Sequence, residues 1–65
     1  LKNMYDVQQL LKKYGVFIYL GDRMADLEMM QEEVRELYNT GLISAADFQT
    51  SMLVLRSELS KENKN

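Results

Sequence analysis

The stretch DRMADLEMMQEEVRELYNTGLISAAD, residues 22–47, decides the fold. It opens on Asp22, a residue type that caps helix N-termini, with Asp26 and Glu28 in the early turns, where carboxylates suit the positive end of the helix dipole. Met24, Leu27, Met30, Val34, Leu37 and Tyr38 then recur at helical spacing. The pattern stops at Asn39-Thr40, and Gly41 is the residue type that ends helices in the left-handed conformation. Ser44-Ala45-Ala46-Asp47 follows with the capping-box form, a hydroxyl at the cap and a carboxylate three residues on. One helix over about 23–39 therefore hands over to another beginning at Ala45. A connection of about four residues between them implies antiparallel neighbours.

Working outward, Phe48, Met52, Leu55 and Leu59 carry the third helix to about Lys61 with the 4-3-4 spacing of a bundle seam. The polar tail, residues 60–65, is expected to fray. Upstream, Met4, Val7, Leu10, Leu11 and Tyr14 form the apolar face of a first helix from about Met4 to Tyr14. Asn3 is its N-cap, Lys12 and Lys13 complement its C-terminal dipole, and Gly15 ends it. Val16-Phe17-Ile18-Tyr19-Leu20 is β-prone, yet the chain offers no second strand to pair with it. It reads as an extended connection whose apolar side chains dock on the core, with a helical start of the second helix as the alternative. The expected fold is all-α: one domain over residues 1–65, a small three-helix bundle with an apolar connecting segment between the first two helices.

Composition excludes more chemistry than it supports. The chain has 65 residues, which allows one domain and leaves little room for a deep cleft with its own lid. There is no Cys, so disulfides, zinc-thiolate sites and thiol nucleophiles are excluded. There is no His, the commonest general base and transition-metal ligand. No catalytic residue, metal ligand or cofactor is expected, and the reading is that of a non-enzyme. No apolar run approaches the roughly 20 residues that span a bilayer. Residues 1–6 lack the apolar core of a secretion signal, so a cytoplasmic protein without membrane contact is expected.

The formal charge of −2 is unevenly spread. Residues 1–23 set Lys2, Lys12, Lys13 and Arg23 against Asp6 and Asp22, a net +2. Residues 24–47 set Arg35 against Asp26, Glu28, Glu32, Glu33, Glu36 and Asp47, a net −5. The basic first third also holds Tyr5, Tyr14, Phe17 and Tyr19, four of the six aromatic residues. Single-stranded nucleic acid needs cations along its backbone and flat side chains on which bases stack. Phe17 and Tyr19 would share a face of an extended chain. Arg23, at the start of the second helix, would join that helix's N-terminal amides on a phosphate, although Asp22 as a cap competes for the same amides. Tyr5, Lys12, Lys13, Phe17, Tyr19 and Arg23 are thus the candidate sites for single-stranded DNA or RNA. The competing reading makes Tyr14, Phe17 and Tyr19 core aromatics and the lysines ordinary surface charges.

A second candidate surface belongs to a protein partner. Glu28, Glu32 and Glu36 repeat at i, i+4 and i+8 as one acidic stripe, which fits a basic partner or, more often, a solvated face. Leu53 and Val54 fall outside the seam of the third helix, Met29 outside the main face of the second, and Tyr5 outside that of the first. These positions suit either cover for the Val16–Leu20 segment or a homo-oligomer interface.

Taken together, Tyr5-Asp6-Val7-Gln8-Gln9-Leu10, Phe17-Ile18-Tyr19-Leu20-Gly21-Asp22-Arg23, Ala25-Asp26-Leu27-Glu28, and then Glu33, Leu37, Tyr38, Gln49 and Leu53-Val54-Leu55-Arg56 resemble the YqgQ-like family of small bacterial proteins. The resemblance covers nearly the whole chain. Leu20 is a departure, because that family position often holds Thr, and the change alters the polarity of the connection. The resemblance implies a compact three-helix bundle and no established activity; nucleic-acid binding has been suggested for the family. The expected function is non-catalytic single-stranded nucleic-acid binding, with a protein-interaction module or self-associating helical adaptor as the alternative.

Overall fold

The computed structural model describes residues 1–63. It contains three helices, α1 (Met4–Lys13), α2 (Arg23–Asn39) and α3 (Ala45–Glu62), and no strand among the described residues. Each helix starts on the expected cap. Asn3 Oδ1 accepts from the Asp6 N–H at 3.0 Å, Asp22 Oδ1 from the Met24 N–H at 3.2 Å, and Ser44 Oγ from the Asp47 N–H at 3.1 Å. Caps of this kind each stabilise by about 1 kcal/mol. α3 stays helical through Glu62, past Ser60 where fraying was expected to begin; the last two positions of that tail lie outside the described residues.

α1 and α2 end alike. The Gly15 N–H donates to the Lys12 carbonyl and the Val16 N–H to the Leu11 carbonyl, both at 2.9 Å. At the end of α2 the Gly41 N–H donates to Tyr38 and the Leu42 N–H to Leu37, at 3.0 and 2.9 Å. These paired bonds make two Schellman motifs, which need a left-handed residue after the cap. Gly15 and Gly41 supply it, at φ of 78° and 79°.

α2 and α3 are the main packed pair, and α1 lies against both. The Arg23 guanidinium, at the start of α2, reaches Glu58 near the end of α3 at 3.2 Å. Tyr38, at the end of α2, stacks on Phe48 near the start of α3 with centroids 4.4 Å apart. Both ends thus match, and the pair is antiparallel as the short connection requires. Val7 and Leu11 of α1, Leu27, Met30, Val34 and Leu37 of α2, and Met52 and Leu55 of α3 form the core. Ile43, from the α2–α3 connection, completes it. Tyr14 ties the two connections together, its hydroxyl donating to the Leu42 carbonyl at 3.0 Å.

Two expectations need correction. The Val16–Leu20 segment is extended, but it does not dock all its apolar side chains. Val16 and Ile18 pack against the core, whereas Phe17, Tyr19 and Leu20 face solvent. The period-2 alternation of extended backbone sends neighbours to opposite sides, which accounts for Phe17 and Tyr19; Leu20 shares the parity of Val16 and Ile18 and is nonetheless exposed. Val54 is the other correction: it is half-buried and packed on the core rather than free at the flank.

Candidate functional site

The extended segment has pinned ends and an open middle. At its start, the Schellman bond holds the Val16 N–H. At its end, the Leu20 N–H donates to Asp26 Oδ1 at 2.6 Å. Asp26 is itself buried on α2, so the carboxylate read as a first-turn helix stabiliser also fastens the preceding connection. Between these anchors the N–H groups of Phe17, Ile18 and Tyr19 have no hydrogen-bond partner among the described residues.

On α1, Tyr5, Gln8, Gln9 and Lys12 share the face turned away from the core, because residues three and four apart are neighbours on a helix. That face and the extended segment border a groove of about 480 Å³. Leu11, Val16, Ile18 and Met30 form its apolar floor. Tyr5, Phe17 and Tyr19 stand around it, 65%, 72% and 88% exposed. Among the described residues, Lys12 is the cation on the groove and no carboxylate lines it.

Four of the six candidate nucleic-acid residues therefore meet: Tyr5, Lys12, Phe17 and Tyr19. The other two do not. Lys13 turns its ammonium over the Tyr14 ring, 5.8 Å from the centroid. Arg23 lies off the groove lining, and its guanidinium pairs with Glu58 at 3.2 Å between α2 and α3. Lys61 also reaches Glu58, at 3.1 Å. The Lys61 hydrogen bond first, and Arg23 after it, hold the Glu58 carboxyl below its ordinary value. Asp22 caps Met24, as the competing reading of that helix start required.

The candidate protein-interaction residues lie elsewhere. Glu28, Glu32 and Glu36 are exposed along α2, with Glu32 bonded to Arg35 at 3.3 Å. Met29 and Leu53 are exposed, and Val54 is not. No group of three metal-ligating side chains converges among the described residues. No helix among them is long and apolar enough to cross a membrane. Sequence reasoning missed Asp26 as an anchor and Gln8 and Gln9 as groove residues. The spacing of Gln8, Gln9 and Lys12 from Tyr5 was the signal that could have found the glutamines.

Fold and groove define a class: a small all-α bundle that displays aromatic side chains on an extended interhelical segment. Within it, the chain belongs to the YqgQ-like family, whose model matches residues 1–61. Uncharacterized protein YqgQ of Bacillus subtilis (strain 168) is 42% identical over 65 residues, covering 100% of this chain and 90% of that one. The family resemblance read from the residues is thereby confirmed, and the structure itself has the three-helix fold that it implied.

Proposed function

We propose that this chain is a non-catalytic binding protein whose α1 groove takes single-stranded nucleic acid. The observation that carries the reading is the exposure of Tyr5, Phe17 and Tyr19 around one groove beside Lys12. Burying a ring of this size would stabilise the fold by about 1.5–3 kcal/mol, so three rings left in water forgo a sizeable gain. Stacked bases recover it, at about 1–3 kcal/mol per base. Lys12 faces a phosphate, and the Gln8 and Gln9 amides offer both donors and acceptors to base edges. The absence of His and Cys, and of any carboxylate among the described lining residues, fits binding rather than turnover.

With Lys12 the one groove cation among the described residues, affinity is expected on the order of micromolar or poorer at physiological salt, and the salt dependence shallow. Fluorescence anisotropy with labelled oligonucleotides tests the reading. Single strands should bind better than duplex, because they alone offer free base faces. Phe17→Ala and Tyr19→Ala should each weaken binding about tenfold or more, and Lys12→Glu should weaken it and flatten the salt slope. Absence of binding at low salt, or binding indifferent to both ring deletions, would overturn it.

A further inference from the structure

A second face, on α2 and α3, shares no lining residue with the groove. Leu53 is 63% exposed there and lines, with Phe48, Arg35 and Arg56, a shallow concavity of about 450 Å³ with no carboxylate among its described lining residues. Arg56 has no ion-pair partner among the described residues. Arg35 reaches Glu32, but the pair is exposed, and such pairs contribute only about 0–1 kcal/mol. Both arginines therefore remain available to outside carboxylates.

The matching carboxylates stand on the same molecule. Glu28, Glu32 and Arg35 follow i, i+4 and i+7, which places them on one stripe of α2, with Glu36 alongside. All four are exposed. A basic edge carrying an apolar anchor thus abuts an acidic edge. A surface with the two signs side by side becomes its own complement after a two-fold rotation, since each copy then lays its basic edge on the acidic edge of the other. We propose that this face is a homodimer interface, with Leu53 packed at its centre and Arg35 and Arg56 of each copy facing Glu28, Glu32 and Glu36 of the second. The occupant is a second copy because this chain itself carries the complementary charges; the acidic stripe repels a nucleic acid there.

Sedimentation equilibrium of the full chain, at low and high salt, tests this. A monomer–dimer equilibrium that weakens with salt is expected, because the pairs lie near solvent. The double variant Arg35→Glu/Arg56→Glu and the triple variant Glu28→Arg/Glu32→Arg/Glu36→Arg should each dimerise about tenfold more weakly or worse. Mixed together they should associate again, since one now presents only carboxylates and the other only guanidiniums. Leu53→Lys, at an exposed position, should lose the dimer with its circular dichroism unchanged. A wild-type chain that stays monomeric at every concentration overturns the proposal. So does a dimer unmoved by these substitutions, or a mixture of the two charge-reversed variants that stays monomeric.

Discussion

The two interhelical connections start identically and finish differently. Residues 14–22 and residues 40–44 both begin with a Schellman motif closed by a left-handed glycine. After Gly41, the short connection turns Ile43 into the core and reaches the Ser44 cap at once. After Gly15, the long connection runs extended, seats Val16 and Ile18, and leaves Phe17 and Tyr19 in water. Reversing the chain between packed helices thus needs no more than residues 40–44. The additional length of the first connection does something other than close the bundle: it holds two rings beside α1, between anchors at Val16 and Leu20.

The difference is measurable as stability. Ile43→Ala removes a buried side chain and should destabilise by about 2–5 kcal/mol, enough to unfold much of so small a domain. Phe17→Ala and Tyr19→Ala, on the long connection, should stay within about 0.5 kcal/mol. Chemical denaturation of the three variants reads both numbers. Comparable losses at Ile43 and Phe17 would erase the distinction.

Asp26 is the next lever. Asp26→Ala leaves the Leu20 N–H without its acceptor and should destabilise by about 1.5–3 kcal/mol. Amide hydrogen exchange should rise at Leu20 in this variant and stay unchanged at residues 40–44. An unchanged Leu20 amide would show that the anchor does not hold the segment.

The shared caps should respond equally. A Cβ at Gly15 or Gly41 meets no atom within 4 Å, so any loss from Gly→Ala comes from the left-handed backbone alone. Thermal or denaturant unfolding should give about 1–2 kcal/mol for each. Clearly unequal values would mean that the two motifs are not equivalent.

The smallest effect separates Arg23 from the groove. Glu58 has a lower pKa in the folded chain than its ordinary 4.5, so its stabilising contribution is present above that value. It is lost as pH falls through the lower folded value. Melting curves of wild type and Glu58→Gln should therefore converge as the pH drops below 4.5. A gap independent of pH would rule out the ion pairs at Glu58 as its source.

The contrast between the connections also marks what the sequence could disclose. Caps and stops act within a few residues, so Asn3, Asp22, Ser44, Gly15 and Gly41 were legible, as were the seams of all three helices. Partners distant in sequence were not. Arg23 reads as a phosphate ligand, and its Glu58 partner 35 residues on leaves no local signal; Asp26 reads as a helix-dipole residue until the Leu20 amide is found against it. Ile43 follows a helix-ending Gly41-Leu42 and carries no periodic signal, so its burial comes from the fold. Ser51 is polar by type, yet it is fully buried and its hydroxyl has no partner among the described residues. Four of the six groove candidates came together because they lie on one short helix and the segment that follows it, where local spacing still constrains space.

In the proposed function, the long connection presents Phe17 and Tyr19 to a single strand while the short one merely turns the chain. Nuclear magnetic resonance of the isotope-labelled chain, titrated with a short unlabelled single-stranded oligonucleotide, tests it residue by residue. Shift changes are expected at Tyr5, Gln8, Gln9, Lys12 and Phe17–Tyr19, with residues 40–44 undisturbed. Silence at Phe17 and Tyr19, or changes centred on residues 40–44, would contradict it.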